Sequence, residues 1–191
     1  MSLSNIQSKI RYQVDATKSA TKTFTYEGSS LIFTLPKSNA QSVTKIEVNG
    51  AVTSSSNYSF SSPTVTFNAS VLTSGDSVVV YYTYYDYSSS ELNGYIVNAL
   101  IELSVNKYKK NGELFRVDSL SSPTIIYPSP NEGEENLIAF VAGILIKPEY
   151  SAYNLPSLSV RYPKEEERDV KIRKLIDRFD TSLGITGAFE V

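Results

Sequence analysis

The chain has 191 residues, eighteen basic and twenty acidic side chains, and neither histidine nor cysteine. Without cysteine there are no disulfides, zinc–thiolate sites or thiol nucleophiles, and without histidine the usual neutral-pH general base, the Ser-His-Asp triad and the commonest metal ligand are gone. A net charge of −2 lacks the basic excess of a dedicated nucleic-acid binder, so composition points to a non-catalytic protein without saying what it binds.

The N-terminal stretch Met1-Ser2-Leu3-Ser4-Asn5 lacks the charged and apolar regions of a signal peptide, and no apolar run reaches the length of a membrane span. The expectation is a soluble, non-secreted protein with no membrane contact. Ser4 is positioned to cap a short helix whose apolar side is Ile6, Ile10 and Val14, within residues 1–20. From Thr23 to Tyr87 the period changes to two. Phe24 and Tyr26 alternate with threonines, and Leu31, Phe33 and Leu35 alternate with Ile32 and Thr34. Val43 to Val48 runs into Asn49-Gly50, whose two positive-φ positions suit a type I′ hairpin. Tyr58-Ser59-Phe60, Thr64 to Phe67 and Ser77 to Tyr85 complete a set of short strands, with Ser74-Gly75-Asp76 as the last turn. Few charges favour this reading: residues 1–88 hold eleven against twenty-seven in 89–191, while 29 of the first 88 residues are Ser or Thr. The predicted module at 21–88 is a small antiparallel β-sandwich or barrel.

After Tyr87 the period becomes helical. Ser88-Ser89-Ser90-Glu91 suits a helix start, and Leu92, Tyr95, Ile96, Ala99, Leu100 and Leu103 mark one face. Lys107, Lys109 and Lys110 fall at its C-terminal end as solvated cations, with Asn111-Gly112 as the stop. Pro123, Pro128 and Pro130 mark residues 118–131 as a loop. A second helix over 132–146, apolar nearly all round from Leu137 to Ile146, suits the centre of a bundle, and Pro148 ends it. Pro156 and Pro163 frame an extended connection. The last helix is predicted from Pro163, with Glu165, Glu166 and Glu167 in its first turn, a core stripe of Ile172, Leu175, Ile176 and Phe179, and Lys171, Arg173, Lys174 and Arg178 facing outward. The chain is thus read as α+β, with the β-module either inserted into the helical bundle domain at 89–181 or simply preceding it.

Three constellations bear on function. In the tyrosine run, Tyr81, Tyr85 and Tyr87 share one strand face and Tyr82 and Tyr84 the other, which suits packing on the core and on a neighbour, a subunit contact, or the stacking of a glycan. The acidic groups Glu132, Glu134, Glu135 and Glu165–Glu167 sit at helix starts, where carboxylates oppose the dipole, and no metal or cofactor is implied. The arm 182–191 keeps Leu183, Ile185, Phe189 and Val191 beside two glycines, the composition of a segment that docks on a partner, for example by strand addition, with a frayed end as the alternative.

The run Val43-Thr44-Lys45-Ile46-Glu47-Val48-Asn49-Gly50, then Asn57-Tyr58-Ser59-Phe60, Thr64-Val65-Thr66-Phe67 and Gly75-Asp76-Ser77-Val78-Val79-Val80-Tyr81-Tyr82, resembles a β-module of tailed-bacteriophage virion proteins. Asn57 stands where that pattern commonly has Asp. The flanking succession of a short helix, an amphipathic helix, a buried helix and a charged helix with a terminal arm is similar to the head–tail connector (adaptor) family. That resemblance implies a non-enzymatic virion neck protein, a dodecameric ring docked under the portal protein through its C-terminal arm. It further implies a DNA channel without sequence-specific contacts and a downstream neck or tail protein as the second partner. A tail or baseplate protein with a glycan- or receptor-binding β-module is the alternative.

Overall fold

The computed structural model describes the backbone of residues 3–181 and 187–190 and the side chains of residues 3–179. Among them are four α-helices and several sheets, nearly all antiparallel, so the fold is mixed α+β. The chain divides into two compact units, residues 17–88 and residues 1–16 with 89–191.

In the first unit the strands are β1 (Lys18–Thr25), β2 (Ile32–Thr34), β3 (Ala40–Val48), β4 (Ala51–Val52), β5 (Tyr58–Ser61), β6 (Thr64–Phe67) and β7 (Ser77–Tyr84). They make two separate sheets, ordered β1-β7-β3-β4 and β2-β6-β5. Neither sheet closes on itself, which corrects the barrel alternative. β1 starts at Lys18, not after residue 20, because its pairing with β7 runs on to Lys18↔Tyr84. The period-2 alternation sends Val78, Val80 and Tyr82 of β7 inward with Ile46, Phe33, Val65 and Phe67 into one buried cluster. Phe33 anchors it, with ring centroids 5.1 Å from Phe24 and 5.7 Å from Phe67. The Asn49-Gly50 turn is as expected: both residues have positive φ, 51° and 83°, and Val48 faces Ala51. Asn49 also accepts the Ser77 N–H at 2.9 Å and donates to Asp76 at 2.7 Å, tying this turn to the start of β7.

The second unit contains α1 (Leu3–Val14), α2 (Ser89–Val105), α3 (Glu132–Ile146) and α4 (Arg168–Thr181). Five short strands accompany them: β8 (Arg116–Val117), β9 (Ile126–Tyr127), β10 (Ala152–Leu155), β11 (Leu158–Arg161) and β12 (Gly187–Glu190). α3 is central, packed against α1, α2 and α4. Residues Leu137 to Ile144 are all buried, as their unbroken apolar run requires. Its start is fixed by a capping box, in which Asn131 accepts the Glu134 N–H at 2.9 Å and Glu134 accepts the Asn131 N–H.

Several local expectations are corrected. α1 begins at Leu3, so Ser4 lies inside the first turn, and Leu3 joins Ile6, Ile10 and Val14 on the buried side. α2 stops at Val105, not at Asn111-Gly112. Lys107 takes a left-handed φ of 60°, Tyr108 N–H reaches the Leu103 carbonyl at 2.9 Å, and Lys107 N–H the Ser104 carbonyl at 3.0 Å. That is a Schellman stop with lysine in the position glycine usually takes. Asn111-Gly112 instead turns the chain between Lys110 and Glu113, which exchange both backbone hydrogen bonds at 2.9 Å. The connection between Pro156 and Pro163 is largely strand: β10 and β11 form a hairpin around Pro156-Ser157. α4 begins at Arg168, leaving Glu165–Glu167 ahead of the helix.

The expected loop at 118–131 is organised by one carboxylate. Asp118 accepts from the Thr124 hydroxyl, from the Thr124 N–H at 2.9 Å and from the Ile125 N–H at 3.1 Å, beside the paired β8 and β9. These bonds, the Thr124 hydroxyl first, hold the Asp118 carboxyl well below the usual range. A depressed folded pKa gives support that is complete above the ordinary carboxylate range and lost as pH falls through the folded value. Replacing Asp118 by Asn should therefore speed amide exchange at Thr124 and Ile125 at neutral pH while the exchange of α3 stays the same. Unaltered protection at both amides would show that β8 and β9 order the loop without it.

Candidate functional site

The tyrosine strand divides between inside and outside. Tyr82 is 2% exposed in the core of its unit, with no ring face left for a sugar. Tyr84 is half-buried, 6.3 Å from the Tyr82 ring and covered by the Lys37 ammonium at 4.9 Å. Packing within the unit thus accounts for both residues and corrects the glycan-stacking expectation for Tyr82. On the other sheet face, Tyr81 donates its hydroxyl to Glu47 at 3.1 Å, and Lys45 lies 4.1 Å from its ring and 2.7 Å from Glu47. The Lys45 ammonium and then the Tyr81 hydroxyl lower the Glu47 pKa. This triad is at the surface, in a field of Thr and Ser side chains.

The acidic clusters are engaged locally through Glu134, Glu135 and Glu166. Glu134 closes the capping box and accepts from Lys110 at 2.7 Å, while Lys110 also donates to the Ser129 carbonyl at 2.8 Å. Lys110 is therefore a tie between the 107–113 segment and α3, not a solvated helix end; Lys107 and Lys109 are exposed as expected. Glu135 is 3% exposed and pairs with Lys9 of α1 at 3.0 Å. Glu166 pairs with Lys174 at 2.7 Å, and Glu165 and Glu167 are exposed. Among the described residues no three acidic side chains converge as a metal site.

The C-terminal arm is the remaining candidate. β10 and β11 present Tyr153, Leu155, Leu158 and Val160 inward as a buried face. β12 lies parallel to β11 on its far side, in the register Leu158↔Gly187, Ser159↔Ala188, Val160↔Phe189 and Arg161↔Glu190. With α4 between them, β11 and β12 form a β-α-β unit, and the strand addition expected on a partner is made here on the chain's own β11. Phe189 is placed by its backbone alone, while Leu183, Ile185 and Val191 lie outside the described residues.

Beneath this small sheet is a buried lysine. Lys171 is 1% exposed and donates to the Pro148 carbonyl at 2.6 Å and the Tyr150 carbonyl at 2.9 Å. Tyr153 donates its hydroxyl to the Lys147 carbonyl at 2.5 Å. Two side chains thus satisfy three carbonyls where the chain leaves α3, the groups a helix end leaves without partners. Burial pushes the Tyr153 and Tyr162 hydroxyls well above the usual tyrosine range. Lys171 was expected to face outward with Arg173, Lys174 and Arg178. Arg173 and Arg178 do so, but Lys171 does not. The signal was present: Lys171 precedes Leu175 by four residues and adjoins Ile172, so it belongs to the core stripe. The β10–β11 hairpin was likewise legible in the alternation of Tyr153 and Leu155 with Leu158 and Val160 about Pro156-Ser157.

No helix among the described residues is long and apolar enough to cross a membrane. The chain matches no protein-family model, and no curated protein matches it in sequence.

Proposed function

We propose that the protein is a structural virion protein, a head–tail adaptor that forms a ring under the portal and carries the DNA channel to the next neck protein, without catalysing a reaction. In this reading residues 17–88 are a β-sandwich module inserted into a helical bundle domain, and the arm residues Leu183, Ile185, Phe189 and Val191 hold the portal or a neighbouring subunit. One observation carries it beyond the resemblance of the β-strand motifs: residues Gly187–Glu190 of the arm already form a strand, paired along the edge of β11. A terminal segment that reads a strand edge is a ready means of subunit attachment. The glycan-binding alternative has one of its two stacking candidates, Tyr82, in the core.

Truncation after Ser182 tests the reading. α4 keeps its buried Ile172, Leu175 and Ile176, so the shortened protein should stay folded without the edge strand Gly187–Glu190. Attachment to portal-bearing heads, measured by co-sedimentation, should disappear. Normal attachment of the truncated chain would remove the arm from the function, and failure of the full chain to bind portal would end the adaptor reading.

A further inference from the structure

We infer that β12 is an exchangeable strand: when copies of the protein assemble, the β11 edge of one copy is filled by β12 of a neighbouring copy. This deepens the adaptor reading by naming the second copy as the arm's partner. An unpaired strand edge is a template for any extended chain, and a bare β11 edge would expose a row of backbone donors and acceptors. In the structure, β12 of the same chain fills that edge. A second copy offers the same four residues in the same register, so the bonds made in exchange equal the bonds lost.

The pairing is also short enough to open. It spans four residues, Gly187–Glu190, and is parallel, the less stable of the two ladders per residue. Gly187 begins the strand, and a glycine raises the entropy cost of holding a strand still. α4 is anchored independently by Ile172, Leu175 and Ile176 in the core and by Lys171 on the Pro148 and Tyr150 carbonyls. β12 can therefore leave β11 while α4 stays packed. In the free chain the tether gives β12 an effective concentration on the order of millimolar, so dilute protein keeps its own strand. In a ring, the neighbouring copy supplies a comparable concentration and the exchange becomes competitive.

Ser159 and Ala188 are Cα partners across this pairing, and the chain has no cysteine of its own. Neighbouring strands lie about 4.8 Å apart, inside the Cα separation a disulfide tolerates. Full-length Ser159→Cys and Ala188→Cys single variants are mixed, oxidised and digested, and the 159–188 linked peptide is quantified by mass spectrometry. Asn98→Cys, exposed on α2, replaces Ala188→Cys in the control mixture. The linked peptide should be scarce at micromolar protein and rise about tenfold or more over the control near millimolar, where the second copy matches the tether. A yield equal to the control at every concentration overturns the exchange. An Arg161→Cys and Glu190→Cys pair, partners two residues further along the register, repeats the test should the first pair misfold by circular dichroism. The two readings fail separately. Linked peptide with no ring on portal, by light scattering, leaves exchange standing and removes the adaptor; a ring of the mixed single variants on portal with no 159–188 peptide above the control does the reverse.

Discussion

Replacing Lys9 by Met should destabilise the helical unit by about 2–4 kcal/mol at neutral pH, somewhat less than the loss on breaking a fully buried pair. The Lys9 ammonium lies 3.0 Å from Glu135, whose side chain is 4% exposed while that of Lys9 is 20% exposed. The other Glu135 oxygen is buried with no hydrogen-bond partner in the protein. Without Lys9 that carboxylate is left uncompensated among α1 and α3. The asymmetry between losing one partner and losing both gives a sharper test. Adding Glu135→Leu to Lys9→Met should recover stability to within about 1 kcal/mol of the original chain. Urea denaturation of the single and double variants decides it: additive losses would mean that the pair adds nothing and that each side chain acts through packing alone.

Lys171→Met is expected to cost about 2–4 kcal/mol through the loss of two charge-assisted hydrogen bonds. Met keeps most of the lysine stem, so the loss reports the ammonium and not a cavity; Lys171→Ala should cost more by the packing of the missing stem. The effect should be local before it is global. Amide protection around the exit of α3 and along β10 should fall first, because the Pro148 and Tyr150 carbonyls lose their donor there. A melting temperature within about 1 °C of the parent for Lys171→Met would mean that water takes over both carbonyls, given the several degrees expected per kcal/mol.

How far the fold was legible depends on whether its signals are local. The Asn49-Gly50 turn, β5 and β6, and the α3 span are written in neighbouring residues, and all formed where expected. The α3 start was legible for the same reason, since Asn131 and Glu134 act three residues apart. The ends of α2 and α4 were misplaced because Asn111-Gly112 and Pro163 are good stop and start residues that the chain uses for turns instead. Nothing local shows that Lys107 will take the left-handed position, or that Lys110 will reach Glu134 across twenty-four residues of sequence. Residue type points Lys171 to solvent and Glu135 to a helix start facing the dipole, whereas what holds them buried is the arrival of carbonyls and a lysine from other elements. For the candidate site, the arm's readiness to add as a strand was legible in its apolar residues and glycines. Its acceptor was not, because Pro156 and Pro163 mark the residues of β11 as connecting chain.

The pairing of Lys18 with Tyr84 has a consequence for the order in which the molecule is made. It places the first residue of β1 beside the last residue of β7, so the two ends of the 17–88 unit leave it side by side. All contacts that define that unit are internal to it, and it can therefore form as soon as β7 is synthesised. α1, made earlier, has to wait for α3 before Leu3, Ile6, Ile10 and Val14 are covered. Closing an unstructured chain of this length to bring α1 to the later helices would cost about 3–4 kcal/mol in entropy. A folded β-unit has met most of that cost through its own strand pairing, so the kinetic route favoured by the topology is middle first and ends last. Weakening β1 against β7 should then slow the folding of helices that neither strand belongs to.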